Sequence, residues 1–345
     1  MSNDKSSLRS VSVALGAAAA LCLSLVITSP SAKAEAKEVS LAQEYGVGYL
    51  PMMVIKHDKL IQKNAEKLGL GHVKVTWSTF AGGAAMNAAI ISGNLDFASG
   101  GVTALIRIWS ATKGNLNVKG VAAIDSMPLY LNTTNPKIKT IADFTNKDRI
   151  ALPAVKLCPQ AVTLQMAAAK MFGEKNYDKL DHLTVSMSHP DGLVAMLSGR
   201  SGIDAHFTSP PFQYQELQNP KVHRVLDSYD VFGGPATFNV VWASSKFRRE
   251  NPKLYKAVLE SLKQAMDIIN SNKRAAAELY VQQAHSKLPL EFIYKIVTNP
   301  QIKFTITPQG LMKYADFLYK TEQIKHKPRS WKEMFFPEID NLHGS

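Results

Sequence analysis

The 345-residue sequence predicts an α/β fold in two lobes, and three features carry that expectation. Strand-like and helix-like segments alternate from Glu38 to Ile124 and again from Arg149 to Phe207. Such alternation argues for mostly parallel sheets with helices on their faces. The two runs are also built alike. Ile91-Ser92-Gly93-Asn94-Leu95-Asp96-Phe97 in the first answers to Leu197-Ser198-Gly199-Arg200-Ser201-Gly202-Ile203-Asp204-Ala205 in the second. Each is a helix ending in Ser-Gly, followed by a hydrophobic strand with an aspartate inside it. Two similar units point to two lobes rather than one long sheet. Finally, the chain from Asn251 onward reads as helical.

In order, Glu38 to Gly48 reads as a strand running into a turn. Met52, Ile55, Leu60, Ala65 and Leu68 have helical spacing, so a helix is expected over 52–68, stopped by Gly69 and Gly71. Val73–Trp77 is a strand, Ala84–Ser92 a helix, Leu95–Ala98 a short strand, Thr103–Thr112 a helix and Val118–Ile124 a strand. A new region begins at Leu129-Tyr130-Leu131. It continues with a short helix at Ile141–Phe144, a strand at Arg149–Leu152, a loop at Pro153–Pro159 and a helix at Gln160–Phe172. Then come a strand at Leu183–Met187, a helix at Gly192–Ser198 with Asp191 as its N-cap, and a strand at Ile203–Phe207. Phe238–Ser244 is a further strand. Helices follow at Pro252–Asn270, Lys273–Gln283, Pro289–Val297 and Pro308–Gln323. Asn251-Pro252 and Thr307-Pro308 look like helix starts, and Trp331–Phe336 is expected to pack on the body as a tail.

The stretch from Phe80 to Thr103 stands out. It holds two glycine pairs, Gly82-Gly83 and Gly100-Gly101, each between an expected strand and an expected helix. Glycine lets backbone approach a ligand closely, and a helix start offers unpaired N–H groups and partial positive charge. Two such starts at neighbouring strand ends make an anion-binding rim.

Composition is that of a globular protein, 46% hydrophobic and 20% charged. Residues 1–34 read as a secretory signal peptide: Lys5 and Arg9, an apolar core from Val11 to Ile27, a break at Ser29-Pro30-Ser31, and Ala32-Lys33-Ala34 as the cleavage site. Removing them takes away Lys5, Arg9, Lys33 and Asp4 and lowers the formal charge from +12 by two, to +10. The basic residues are dispersed, with Lys325–Arg329 the nearest to a cluster, which reads as a solvated surface and not as a nucleic-acid interface. Of the two cysteines, Cys22 lies in the expected leader, so the mature chain keeps Cys158 alone, with no disulfide partner and no zinc spacing. Neither a metal nor a cofactor is expected.

Several pieces, in order, carry a family resemblance: Gly46-Val47-Gly48-Tyr49, Phe80-Ala81-Gly82-Gly83-Ala84-Ala85, Ser92-Gly93-Asn94-Leu95-Asp96-Phe97-Ala98, Gly101-Val102-Thr103, Ile138-Lys139-Thr140-Ile141-Ala142-Asp143-Phe144, Leu197-Ser198-Gly199, Ser209-Pro210-Pro211-Phe212 and Phe247-Arg248-Arg249-Glu250-Asn251-Pro252. Together they resemble the substrate-binding proteins of nitrate, sulfonate and taurine ABC importers over residues 39–245. The resemblance implies a type II-like periplasmic binding protein fold, with lobe 1 at 35–126 plus 235–345, lobe 2 at 127–234, and the ligand held in the cleft between them. It also implies a periplasmic, monomeric protein that captures a small anionic organic solute by lobe closure and delivers it to a membrane permease. The chain departs from the family pattern at Pro153–Pro159, where relatives carry a Gly-Ser-rich turn, and this leaves the solute's identity open.

Under that resemblance the ligand contacts are Tyr49, Phe80, Gly82, Gly83, Gly101, Val102, Thr103, Lys156, Cys158, Gln160, His189, Ser209 and Phe212. Each has a plainer alternative. Gly82 and Gly83 suit backbone donation to an anion but also tight strand–helix packing. Thr103 offers a hydroxyl or a simple cap. Tyr49 and Phe80 wall a pocket or fill the core. Lys156 pairs with an acidic ligand or is solvated, and Asp191 caps its helix. Cys158 has no neighbouring His or second Cys to make it a nucleophile. His206, inside a strand, reads as a core histidine. No Gly-x-Ser-x-Gly, His-Glu-x-x-His or phosphate-binding loop is present, so no catalytic residues are assigned. An enzyme on the same fold, like the thiamine-pyrimidine synthases, is the alternative, although those carry a cysteine-rich motif that this chain lacks. A binder that presents its ligand to a membrane sensor is the other.

Overall fold

The computed structural model describes residues 34–345. The expected leader therefore lies outside the described residues, apart from Ala34. The first run comprises β1 (Glu38–Gln43), α1 (Leu50–His57), α2 (Leu60–Lys67), β2 (Lys74–Thr79), α3 (Gly83–Ser92), β3 (Phe97–Gly101), α4 (Val102–Thr112) and β4 (Lys119–Ala123). The second comprises β5 (Tyr130–Thr133), β6 (Ile150–Leu152), α5 (Pro159–Phe172), β7 (Thr184–Ser186), α6 (His189–Ser198), β8 (Ala205–Thr208), α7 (Phe212–Glu216), β9 (His223–Asp227) and α8 (Ser228–Phe232). The chain then returns through β10 (Asn239–Ala243) to α9 (Ser245–Glu250), α10 (Pro252–Ser271), α11 (Lys273–Gln283), α12 (Leu290–Val297) and α13 (Leu311–Lys320).

These strands form two five-stranded sheets, ordered β2-β1-β3-β10-β4 and β7-β6-β8-β5-β9. In each, the first three strands are parallel and the fourth runs antiparallel to both neighbours. That fourth strand is the one by which the chain enters from the other sheet: β10 arrives from the second run and β5 from the first. The likeness read from the sequence is thus a likeness of topology. It extends to the aspartates. Asp96 Oδ2 accepts from the Ser40 N–H at 2.8 Å and from the Ser40 hydroxyl at 2.8 Å. Asp204 Oδ2 accepts from the Arg149 N–H at 3.0 Å. Each ties the approach to one central strand to the start of the strand beside it. Both preceding helices close on a left-handed glycine, Gly93 (φ 76°) and Gly199 (φ 63°).

Several elements differ from expectation. The helix expected over 52–68 is two helices, because Lys59 at φ 53° turns the chain between them. The strand expected over Glu38 to Gly48 ends at Gln43. Gly100 and Gly101 end β3, with Gly101 the N-cap of α4. Ser188, not Asp191, caps α6: its hydroxyl accepts from the Asp191 N–H, which places Asp191 in the first turn. At α10 the Asn251 side chain accepts from Ala36 N–H instead of capping, and the Glu35 carboxylate accepts from the Lys253 and Leu254 N–H groups at 3.1 and 2.9 Å. A carboxylate there suits the helix dipole. Thr307-Pro308 does not start α13. The segment before it is pinned to Thr237, whose N–H donates to Gln309 O and whose hydroxyl accepts from Gln309 N–H, both at 2.9 Å. The tail packs as expected: Trp331, Phe335 and Phe336 are buried, and the Phe336 N–H donates to Gly120 O in β4.

Candidate functional site

In open α/β sheets, ligands sit beyond the carboxyl ends of the strands. Here the ends of β1 and β3 and the start of α3 face the loop that follows β6. Between them lies a cavity of about 190 Å³, room for about six waters. The first sheet's side supplies Glu44, Gly82, Gly83, Asn87, Gly101, Thr103 and Arg107, and the second supplies Pro153, Ala154, Leu157, Cys158, Pro159 and Gln160. Six of the expected contacts therefore lie on one cavity: Gly82, Gly83, Gly101, Thr103, Cys158 and Gln160.

The glycine pairs have two duties. Gly82 caps α3, whose first-turn N–H groups have no acceptor within the helix. A Cβ on Gly83 would lie 2.6 Å from Ala104 Cβ, so this glycine also lets α3 pack on α4. A Cβ on Gly101 would lie 2.6 Å from the Pro159 ring, so its absence lets the opposite lobe approach. The Thr103 hydroxyl donates to Leu157 O across the cleft at 2.7 Å, and Val47 N–H donates to Pro210 O at 2.9 Å. Burial pushes the Cys158 thiol up to about 11.

Three lining residues were not singled out by the sequence. Glu44 is 7% exposed and follows β1. Burial raises its carboxyl to about 8, although the Gly101 N–H hydrogen-bonded to it acts the other way. Arg107 donates through Nη2 to Lys156 O at 2.9 Å, and burial lowers its pKa. Asn87 donates through Nδ2 to Ala104 O at 2.9 Å. A signal for two of them existed. Asn87 stands four residues after Gly83 and Arg107 four after Thr103, which puts each on the same helix face as its partner.

The other expected contacts lie off this cavity. Tyr49 is 1% exposed and donates to Asn239 Oδ1 at 3.0 Å, and Asn239 in turn donates through Nδ2 to Asp125 at 2.8 Å. Phe80 is half-buried, and its N–H donates to Gln43 O. Val102 spends its N–H on Phe238 O at 2.8 Å, so that group does not serve the rim. Lys156 has left-handed backbone (φ 63°). Its carbonyl turns to Arg107 and its exposed side chain is not part of the lining. His189 is buried between Thr208 Oγ1 at 2.8 Å and Gln160 Nε2 at 3.3 Å, where it holds Gln160 in place. Burial, and then His206, push its pKa well below the ordinary range, so it is neutral. Ser209 is buried, and its hydroxyl has no partner among the described residues. Phe212 stacks on His189 and lines a wider cavity of about 490 Å³, which shares Glu44 with the first. His206 is a core histidine, as expected, 2.6 Å from Glu216 Oε1.

No protein-family model matches the chain, and no curated protein matches it significantly. Solved structures do. The chain is similar to the alkanesulfonate-binding protein SsuA from Xanthomonas axonopodis pv. citri, with TM-score 0.67 and 15% identity over 85% of this chain and 96% of that one. It is likewise similar to the periplasmic nitrate-binding protein NrtA from Synechocystis PCC 6803, with TM-score 0.66 and 13% identity over 87% and 84%. The fold is that of the periplasmic binding proteins. A Candida albicans gene product described as defining a new family with this generic fold is also similar, at TM-score 0.63 and 13% identity over 84% and 92%. The periplasmic binding fold alone does not name a solute. In this fold the cavity described above lies between the two lobes, and the Tyr49–Asn239–Asp125 chain lies where the strands cross from one lobe to the other.

Proposed function

We propose that this chain captures a small organic solute for an ABC importer, as an exported monomer that hands its cargo to a membrane permease. Its lobes are assigned to 35–126 plus 235–345 and to 127–234, with the leader removed after Ala34. The observation that carries the reading is the interlobe cavity, walled on one side by the α3 start and Gly101 and on the other by Pro153–Gln160. At about 190 Å³ it falls below the usual range for drug-sized ligands and suits a solute of a few heavy atoms. The free N–H groups of the α3 start and the Arg107 guanidinium favour an anionic group on that solute. The sulfonate- and nitrate-binding neighbours are consistent with this.

An enzymatic role finds less support. A thiol pushed up to about 11 is protonated at neutral pH and is a poor nucleophile. His189, which contacts Gln160 on the cavity wall, spends both ring nitrogens on Gln160 and Thr208. A thermal-shift screen over alkanesulfonates, taurine, nitrate, aromatic carboxylates and pyrimidines tests the proposal. One class should raise the Tm and be recovered unchanged. A compound consumed by the protein, with no stabilising solute, would contradict it.

A further inference from the structure

The two runs are joined by more than the segments that carry the chain from one sheet to the other. After α12 the chain passes beside those crossings. Ser126 and Lys303 exchange backbone hydrogen bonds at 2.8 and 2.9 Å, and the Ala123 N–H donates to Ile306 O at 3.2 Å. Helix α13 then touches α4 of the first run and packs on the second run as well. The Tyr314 hydroxyl is 3.1 Å from Thr163 Oγ1 on α5, and its ring lies 4.5 Å from that of Phe232 on α8. Phe317 meets Tyr177 edge-on at 5.9 Å, and Lys320 pairs with Glu174. Beyond the helix the chain returns to α4, where the Ser110 hydroxyl accepts from the Lys325 and His326 N–H groups at 3.1 and 3.0 Å.

One residue fastens this passage to both runs. Gln323 accepts from Arg107 twice, through its backbone carbonyl from Nη1 at 3.3 Å and through Oε1 from Nη2. Its Nε2 donates to Gln165 Oε1 on α5 at 3.0 Å. Gln165 is 2% exposed and donates in turn to both carboxylate oxygens of Asp181, at 3.1 and 2.9 Å. The row Arg107–Gln323–Gln165–Asp181 therefore runs from a cation on α4 to an anion in the second run. Hydrogen bonds that end on a charge are the stronger kind. We propose that α13 and the turn after it form a strap across the α4–α5 seam, with Gln323 as the positioning residue that fastens it. Both helices begin at the cavity, α4 after Gly101 and α5 with Pro159 and Gln160. Two lobes joined by little contact move relative to one another by default. The strap holds these two helix starts together before a solute arrives, which lowers the ordering cost of binding. This goes beyond the solute-capture reading and needs only its two lobes.

Small-angle X-ray scattering and amide hydrogen exchange on the ligand-free protein test it. Gln323→Ala should increase the radius of gyration and quicken exchange about tenfold along α4 and the first turns of α5, the worth of one or two hydrogen bonds. Exchange in β3 and β10 should stay as in the wild type. Gln323→Glu keeps its acceptors for Arg107 but cannot donate to Gln165, so exchange should quicken along α5 alone. This second variant decides the matter if Gln323→Ala fails to fold. Unchanged scattering in a folded Gln323→Ala protein, unchanged exchange along α5 in either variant, or exchange quickened evenly over the whole chain would overturn the strap. Neither measurement involves a solute, so that failure would leave solute capture standing, and a failed solute screen would leave the strap standing.

Discussion

A carboxyl buried without a cation makes stability depend on pH. Glu44 is raised from 4.5 to about 8 by burial. Between those values the folded protein binds a proton that the unfolded chain has lost, so stability falls as pH rises, and the loss is complete above about 8. At about 1.4 kcal/mol per pKa unit, the effect is on the order of a few kcal/mol. Asp125, raised to about 7 by burial, acts with the same sign over a lower window. Urea unfolding at pH 5.5 and 8.5 should therefore show the ligand-free protein less stable at the higher pH, with a smaller loss in Glu44→Gln. Equal losses in the two proteins would remove Glu44 as the source. The other groups that couple to or share the site with Glu44 do not titrate there: burial holds the Tyr49 phenol and the Cys158 thiol protonated, and Arg107 remains a cation. Glu44 is not legible in the sequence, because a first strand expected to run on to Gly48 makes it one strand residue among several. Its role depends on Gly101, 57 positions away, and no local pattern reports that distance.

Among the elements, helix ends were legible where glycine marks them and less so where a hydroxyl does. Gly93 and Gly199 close α3 and α6 as expected, whereas the cap expected at Asp191 is supplied by Ser188. Ser188→Ala should cost about 1 kcal/mol of unfolding free energy. Chemical denaturation checks this, and a change of a few tenths or less would show that Asp191 caps the helix alone. Strand β9 escaped notice because His223-Arg224-Val225-Leu226-Asp227 carries three titratable residues and is only half-buried along much of its length. Strands β3 and β10 are buried at every position and read as continuous hydrophobic or small-residue runs. Tertiary contacts decided the rest. The Thr307-Pro308 signal is sound locally, yet the bonds to Thr237 hold that segment out of the helix.

On the scale of the whole molecule, the repeated topology was legible because both runs use the same order of strand, helix and Ser-Gly ending. The antiparallel placement of β10 and β5 as the fourth strand of each sheet was not, since it is set by the neighbours each strand pairs with in space. The lobes touch through Thr103 to Leu157, Arg107 to Lys156 and Val47 to Pro210. Beside them, Pro159 lies so close to Gly101 that a Cβ there would stand 2.6 Å from its ring. On the proposed function, the solute is held where the lobes meet at that point. The most direct test is calorimetric titration of a stabilising solute into the wild-type protein and into Gly101→Val, with circular dichroism to confirm folding of the variant. One solute should bind per wild-type chain and be recovered chemically unchanged, with affinity at least about tenfold weaker in the variant because the added side chain drives Pro159 away. Equal affinity in a folded Gly101→Val protein, or conversion of the solute, would contradict it.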